Sequence, residues 1–220
     1  MNGGKFNIEH IECEGFVCGF QNVEDFRIAF KKEFKHIVAF HATNLSDEEL
    51  ISIQTEGLKI ASKELLEKKA KHRFVVHQSE ELTKEIEKDI SDWFSTEDLH
   101  ENKFYTKNEI NFGLLKDGLF ENYHYLLFGA ESLLPVADYL RKRYYKSFRR
   151  ILVNSGLHYM IEVLIPVIKT DDIWIDNIYD YFTDGCPEVN LVYYSNLSYK
   201  NIVNIERVDR PIDRQKLILI

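Results

Sequence analysis

The sequence predicts an α+β fold in one domain, and three observations carry that expectation. First, short apolar runs of strand type, Ile37 to Phe40 and Leu157 to Ile168, stand apart from segments whose apolar residues recur at helical spacing. Second, the 220 residues suffice for one well-buried core and are too few to favour two large ones. Third, a hydrophobic fraction of 45% with only 10 Gly and 4 Pro belongs to a folded chain.

Taken in order, Lys5 to Phe20 reads as one or two short strands broken at Gly15 and Gly19. Asn22 then caps a helix whose Val23, Phe26, Phe30 and Phe34 share one face. Ile37 to Phe40 forms a buried strand that delivers His41 and Thr43 to its end. Ser46 with Asp47, Glu48 and Glu49 is an N-cap with an acidic first turn, and Gly57 stops the helix it starts. From 61 to 108 the chain reads as a mainly helical insertion, with Leu82, Ile86, Ile90 and Trp93 or Phe94 as one stripe. In this insertion His72, Arg73, His77 and His100 take no role.

Tyr123 to Phe128 reads as an aromatic strand that breaks at Gly129-Ala-Glu-Ser into a helix with Leu133, Leu134, Ala137 and Leu140 on one side. Alternation along such a strand would set Tyr123 and Tyr125 on one face. After the strand at 157 to 168, Asp171 to Phe182 reads as an aromatic and acidic connection, and Thr183 to Pro187 as a turn. Glu188 opens a strand through Val189, Leu191 and Tyr193, an Ile-Val-x-Ile strand follows, and Gln215 to Ile220 is the expected last strand.

Charge is unevenly distributed. Arg141 to Arg150 holds six positive charges and no acid, while the rest of the chain has 22 basic and 36 acidic residues, −14 in net charge. Arg141, Lys142, Arg143, Tyr145, Lys146, Arg149 and Arg150, with Tyr144 and Phe148 interleaved, are the residue types that bind a phosphate backbone and stack on unpaired bases. A solvated helix face, or a surface for an acidic protein, would have the same composition.

The three cysteines, Cys13, Cys18 and Cys186, cannot all pair within one chain, and no Cys or His cluster completes a metal-ligand set, so no metal is expected. The longest apolar run, Met160 to Val167, is interrupted by Glu162 and is too short for a bilayer span. Met1 to Glu9 lacks a signal-type apolar segment, which makes a cytoplasmic address and reduced thiols the expectation. Gly-rich phosphate loops, nucleophile elbows and metalloprotease helices are absent from the sequence.

The unit of strand, His41-x-Thr43, capped helix and Gly57-Leu58 resembles the first motif of the ADP-ribosyltransferase superfamily in its His-Tyr-Glu branch, which includes diphtheria-toxin-like and poly-ADP-ribose polymerase-like enzymes. The aromatic stretch before Gly129 resembles that family's second motif, and Glu188 at a strand start resembles the third. Family membership would imply a split, twisted antiparallel sheet with flanking helices. It would also imply NAD as co-substrate, with His41 and Thr43 holding its ribose and phosphate portion. Tyr125, or Tyr123 in its place, would stack on nicotinamide, and Glu188 would be catalytic. Cys186 stands where arginine-modifying members carry an acid, which argues against that branch.

The resemblance further implies a bacterial toxin or phage-defence effector, with an antitoxin protein as a candidate partner. The basic segment inclines the expected acceptor toward single-stranded RNA or DNA over protein. RNA 2′-phosphotransfer would need further arginines around the first motif. A non-catalytic module that docks a partner through 141 to 150 is the alternative from another class.

Overall fold

A computed structural model describes residues 4–95, 108–121, 124–185 and 189–209. They form an α+β structure of ten helices and one open six-stranded sheet. Five strands run antiparallel in the order β5 (Asn190–Tyr193), β3 (Ile110–Gly113), β2 (His36–Leu45), β4 (Leu157–Pro166) and β6 (Ile202–Arg207). The two-residue β1 (Lys5–Phe6) lies parallel to the start of β2.

The strand β2 organises the sheet. All ten of its residues pair with β4, from His36 opposite Pro166 to Leu45 opposite Leu157. On its other edge β1 covers His36 and Ile37, and β3 meets it at a single pair, Phe40 with Gly113. Period-two alternation sends Ile37, Ala39 and Leu45 into one core and Val38, Phe40 and Ala42 into a second on the opposite face. Both faces are thus covered, as the unbroken apolar run requires.

The first core is closed by α1 (Ile11–Val17), α2 (Val23–Glu33) and α10 (Asp172–Thr183). Asn22 caps α2 by accepting from the Asp25 N–H at 2.9 Å, and Phe26, Phe30 and Phe34 meet Phe6 and Phe16 edge-on. Arg27 grips Asp176 with two hydrogen bonds of 2.8 and 2.6 Å and so ties α2 to α10. A third core is wholly helical, between α4 (Lys63–Phe74), α5 (Glu80–Ser95), α8 (Leu134–Tyr144) and α9 (Phe148–Asn154). In α5 the stripe Ile86, Ile90 and Phe94 is buried.

Three segments differ from the sequence expectation. Only Lys5–Phe6 of the first stretch is a strand. Residues 11–17 are the helix α1, because Cys13 and Val17 are one turn apart and both face the core. The stretch at 171 to 182 is no connection but the helix α10, whose Ile175 and Ile178 are buried at helical spacing among acids that stay outside. The aromatic strand expected at 123 to 128 is, over His124–Phe128, the short helix α7. There Leu126 fills the sheet-side core while Leu127 and Phe128 enter the helical one, so adjacent residues face different cores. A continuous apolar run carries no period to reveal this. The expected last strand, Gln215 to Ile220, lies outside the described residues.

No helix among the described residues is long and apolar enough to cross a membrane.

Candidate functional site

The site begins where β3 parts from β2. Continuing the antiparallel ladder past Phe40 would pair His41 with Phe112. Instead the His41 ring takes over: its Nδ1 lies 2.9 Å from the Asn111 carbonyl, and its face is tilted against Phe112 at 5.7 Å. A carbonyl only accepts, so Nδ1 carries the proton and Nε2 is left as an acceptor. Burial pushes the imidazole below the ordinary histidine range and the Lys69 charge adds to this, against the opposing pull of the Asn111 carbonyl. His41 is therefore held neutral in one tautomer.

Beyond this divergence lies a cavity of about 570 Å³, in the size range of small-molecule sites. Consecutive residues Phe40, His41, Ala42 and Thr43 all line it, so it straddles the edge of β2 and draws on both faces of the strand. Its second wall is α4, with Lys68, Lys69 and His72. Its third is the segment His124, Tyr125 and Gly129 to Ser132, and its fourth is the β3–β5 margin, including Asn111, Val189 and Asn190.

Behind the cavity the end of β2 is clamped by a buried guanidinium. Arg73, 1% exposed, donates to the Asn44 carbonyl at 3.2 Å, to the Asn44 side chain, to Glu49 at 2.7 Å, to Ser155 Oγ at 2.6 Å and to the Leu152 carbonyl at 2.9 Å. Glu49 also completes the capping box of α3 (Asp47–Glu56), accepting from the Ser46 N–H at 2.9 Å. Burial alone would raise the Glu49 carboxyl, yet the charges of Lys69 and Arg73 and these hydrogen bonds hold it below the usual carboxylate range. A charge buried with all its partners in place is costly to disturb.

Two glycines are fixed by their neighbours here. Gly129 reverses the chain after α7 at φ +69°, and a Cβ on it would stand 2.9 Å from the Asn44 carbonyl oxygen. Gly57 ends α3 at φ +94°, where a Cβ would collide with the backbone at Leu197 to Tyr199.

Of the residues read from the sequence, His41, Thr43 and Tyr125 line the same cavity. Tyr125 reaches it from a helix, so the alternation argument that coupled it to Tyr123 is overturned. Tyr123 and Glu188 lie outside the described residues. The chain immediately after Glu188 does enter the site: Leu114 donates to the Val189 carbonyl at 3.0 Å, and Asn190 pairs with Gly113.

The basic segment stands elsewhere and is partly neutralised. Arg143 pairs with the buried Asp89 at 2.6 Å, Arg149 with Asp138 at 2.6 Å, and Lys146 donates to Gln78 at 3.2 Å. Tyr144 donates to Asp89 at 2.5 Å, and burial together with that bond pushes its hydroxyl up to about 12. Phe148 is fully buried. The expected platform of interleaved aromatics thus reduces to Tyr145, which caps α8 in the left-handed conformation and is 93% exposed. Arg141, Lys142 and Arg150 remain exposed.

Lys68, Lys69, His72, His124 and Glu131 went unassigned in the sequence, because what unites them is a shared wall and not a spacing. Among the described residues no three His, Cys, Asp or Glu side chains gather as a metal site requires. Comparison of the chain with family models, with curated proteins and with solved structures returns no match.

Proposed function

We propose that the chain is an NAD-dependent ADP-ribosyltransferase acting on a macromolecular acceptor. One observation carries this reading: a His held neutral at the point where two strands part, a Thr two residues on and a Tyr some eighty residues later line one cavity of about 570 Å³. The chain re-enters that cavity at Val189, directly after Glu188.

Each residue type suits the chemistry. Cleaving the bond between ribose and nicotinamide develops positive charge at the anomeric carbon, as glycoside cleavage does. His41, with Nε2 free to accept, would take a hydrogen bond from a ribose hydroxyl, and Thr43 would add a second polar contact. The Tyr125 ring would fix the nicotinamide plane. Lys68 supplies positive charge on the α4 wall, suited to a diphosphate, beside Lys69, which is paired with Glu49 at 3.3 Å. Glu188 would oppose the developing charge, an electrostatic role that grows as water is excluded. Nicotinamide departs as a neutral amine, so one carboxylate suffices.

The acceptor leans to nucleic acid, on Arg141, Lys142, Tyr145 and Arg150 as the exposed remainder of the basic segment. Incubating the purified chain with labelled NAD and RNA, DNA or cell protein tests the proposal. Label on RNA or DNA is expected; label confined to protein removes the nucleic acid acceptor. Absence of both labelling and an NAD-induced rise in melting temperature removes the transferase and favours a docking module.

A further inference from the structure

The Gly129 reversal does more than end α7. It folds the chain back so that Glu131 returns to His124, seven residues earlier, with Glu131 Oε1 2.6 Å from His124 Nε2. Both side chains line the cavity and both are about two-fifths exposed, at 38% and 43%. His124 is further held by stacking on Tyr125, with ring centroids 4.1 Å apart and planes inclined by 33°.

We propose that His124 and Glu131 form the general-base pair that activates the acceptor, a role that rests on the transferase reading above. A carboxylate accepts only, so Nε2 carries the proton in the Glu131 hydrogen bond, and Nδ1 of the neutral ring holds the lone pair. His124 makes no second hydrogen bond among the described residues. This is the logic of an oriented imidazole: the carboxylate fixes the tautomer and stabilises the imidazolium when it forms.

The step balances without another reactant. As the acceptor's O–H or N–H heteroatom bonds to the ribose anomeric carbon, the bond from that carbon to nicotinamide breaks and its electron pair leaves with the ring nitrogen. The acceptor's proton goes to His124 Nδ1 and from there to solvent.

Other ionisable groups of the cavity are placed for different work. Glu49 is committed to Arg73 and the Ser46 cap, and Glu48 lies 3.7 Å from His72. Glu109 reaches the Asn111 amide at 3.5 Å, and Lys59 pairs with Glu56. The His41 Nδ1 is engaged by the Asn111 carbonyl. Lys68 and Lys69 are cations, which cannot serve as a base while protonated. The position of the pair also fits: both side chains are partly exposed on the cavity wall.

The test uses the full chain with His124→Gln and Glu131→Gln, labelled NAD, and whichever of RNA, DNA or cell protein the wild type labels. Transfer at saturating NAD is expected to fall about 100-fold or more in His124→Gln, and the pH–rate profile at saturating NAD to change shape. Glu131→Gln should give an intermediate loss and Glu131→Asp recover part of it. The NAD-induced melting shift should be unchanged in Glu131→Gln and Glu131→Asp, which keep the His124 ring against Tyr125, and this separates the base from a structural role. Wild-type rates and pH profile in both Gln variants would overturn the pair while leaving the transferase standing. A wild type that neither binds nor turns over NAD would overturn both.

Discussion

Beside β2, side chains of both charge signs meet in a cavity whose shape depends on a strand leaving the sheet, a glycine reversal and a guanidinium with five hydrogen bonds. At 141 to 150, six full charges are crowded into ten residues, yet two of the arginines are paired with acids, and Tyr144 and Phe148 serve the helical core. The contrast teaches that local charge density is a poor guide to available charge. In a chain of net charge −8, a basic run is readily consumed by the acids of neighbouring helices.

The sharpest way to break this comparison is Arg73. Replacing it with Met should cost about 3 to 5 kcal/mol, the range for leaving a buried ionic partner uncompensated, because Glu49 and two backbone carbonyls would lose their donor. Chemical denaturation would measure it; a loss within about 0.5 kcal/mol, typical of surface changes, would show that the clamp contributes little. Gly129→Ala comes next. Its left-handed φ and the nearby Asn44 carbonyl should together cost about 1 to 3 kcal/mol, with weaker NAD binding, read from melting curves with and without NAD.

His41 should show a pH signature and a small stability effect. Its folded-state affinity for a proton is below the unfolded value, so the unfolded chain protonates first as pH falls. The stability difference is absent above the unfolded value of about 6.5, and the wild type loses ground as pH drops from there through the folded value. The NAD-induced shift should shrink only as pH falls through the folded value, where protonation of the folded chain removes the Nε2 acceptor. Comparing wild type with His41→Asn in steps downward from about pH 7.5 checks both; an NAD-induced shift that declines in parallel in the two proteins would remove His41 from the binding scheme.

The smallest expected effect is on the basic segment. Arg141→Ala with Arg150→Ala should leave stability within about 0.5 kcal/mol while lowering the salt slope of RNA binding by about 2. Arg149→Ala should change that slope far less, because its guanidinium is held by Asp138. Equal slopes for the two would show that pairing in the helices does not withhold charge from a ligand.

Much of the fold was legible because its signals are local. Asn22 and Ser46 cap the helices they were expected to cap, Gly57 ends α3, and the apolar runs of β2 and β4 are strands. The failures have a common cause. In α1 and α10 aromatic, acidic and apolar residues are mixed so densely that the helical period is masked, in α7 an apolar run shows no period, and tertiary burial decides. At the site, His41 and Thr43 were readable because they lie two apart on one apolar strand, although that strand runs on to Leu45 and does not end at Phe40 as expected. Lys69, Arg73, His124 and Glu131 were not, because α4 reaches the cavity through tertiary packing and Glu131 reaches His124 only through the turn at Gly129.

Arg73 and the cavity residues Lys68, Lys69 and His72 belong to the same helix, and Arg73 locks that helix to Asn44, the residue after Thr43. One buried side chain thus sets the spacing between α4 and β2. The side carrying Tyr125 is tied to the same strand, since Asn44 also donates to the Leu127 carbonyl at 2.9 Å, so whatever occupies the cleft must conform to both walls.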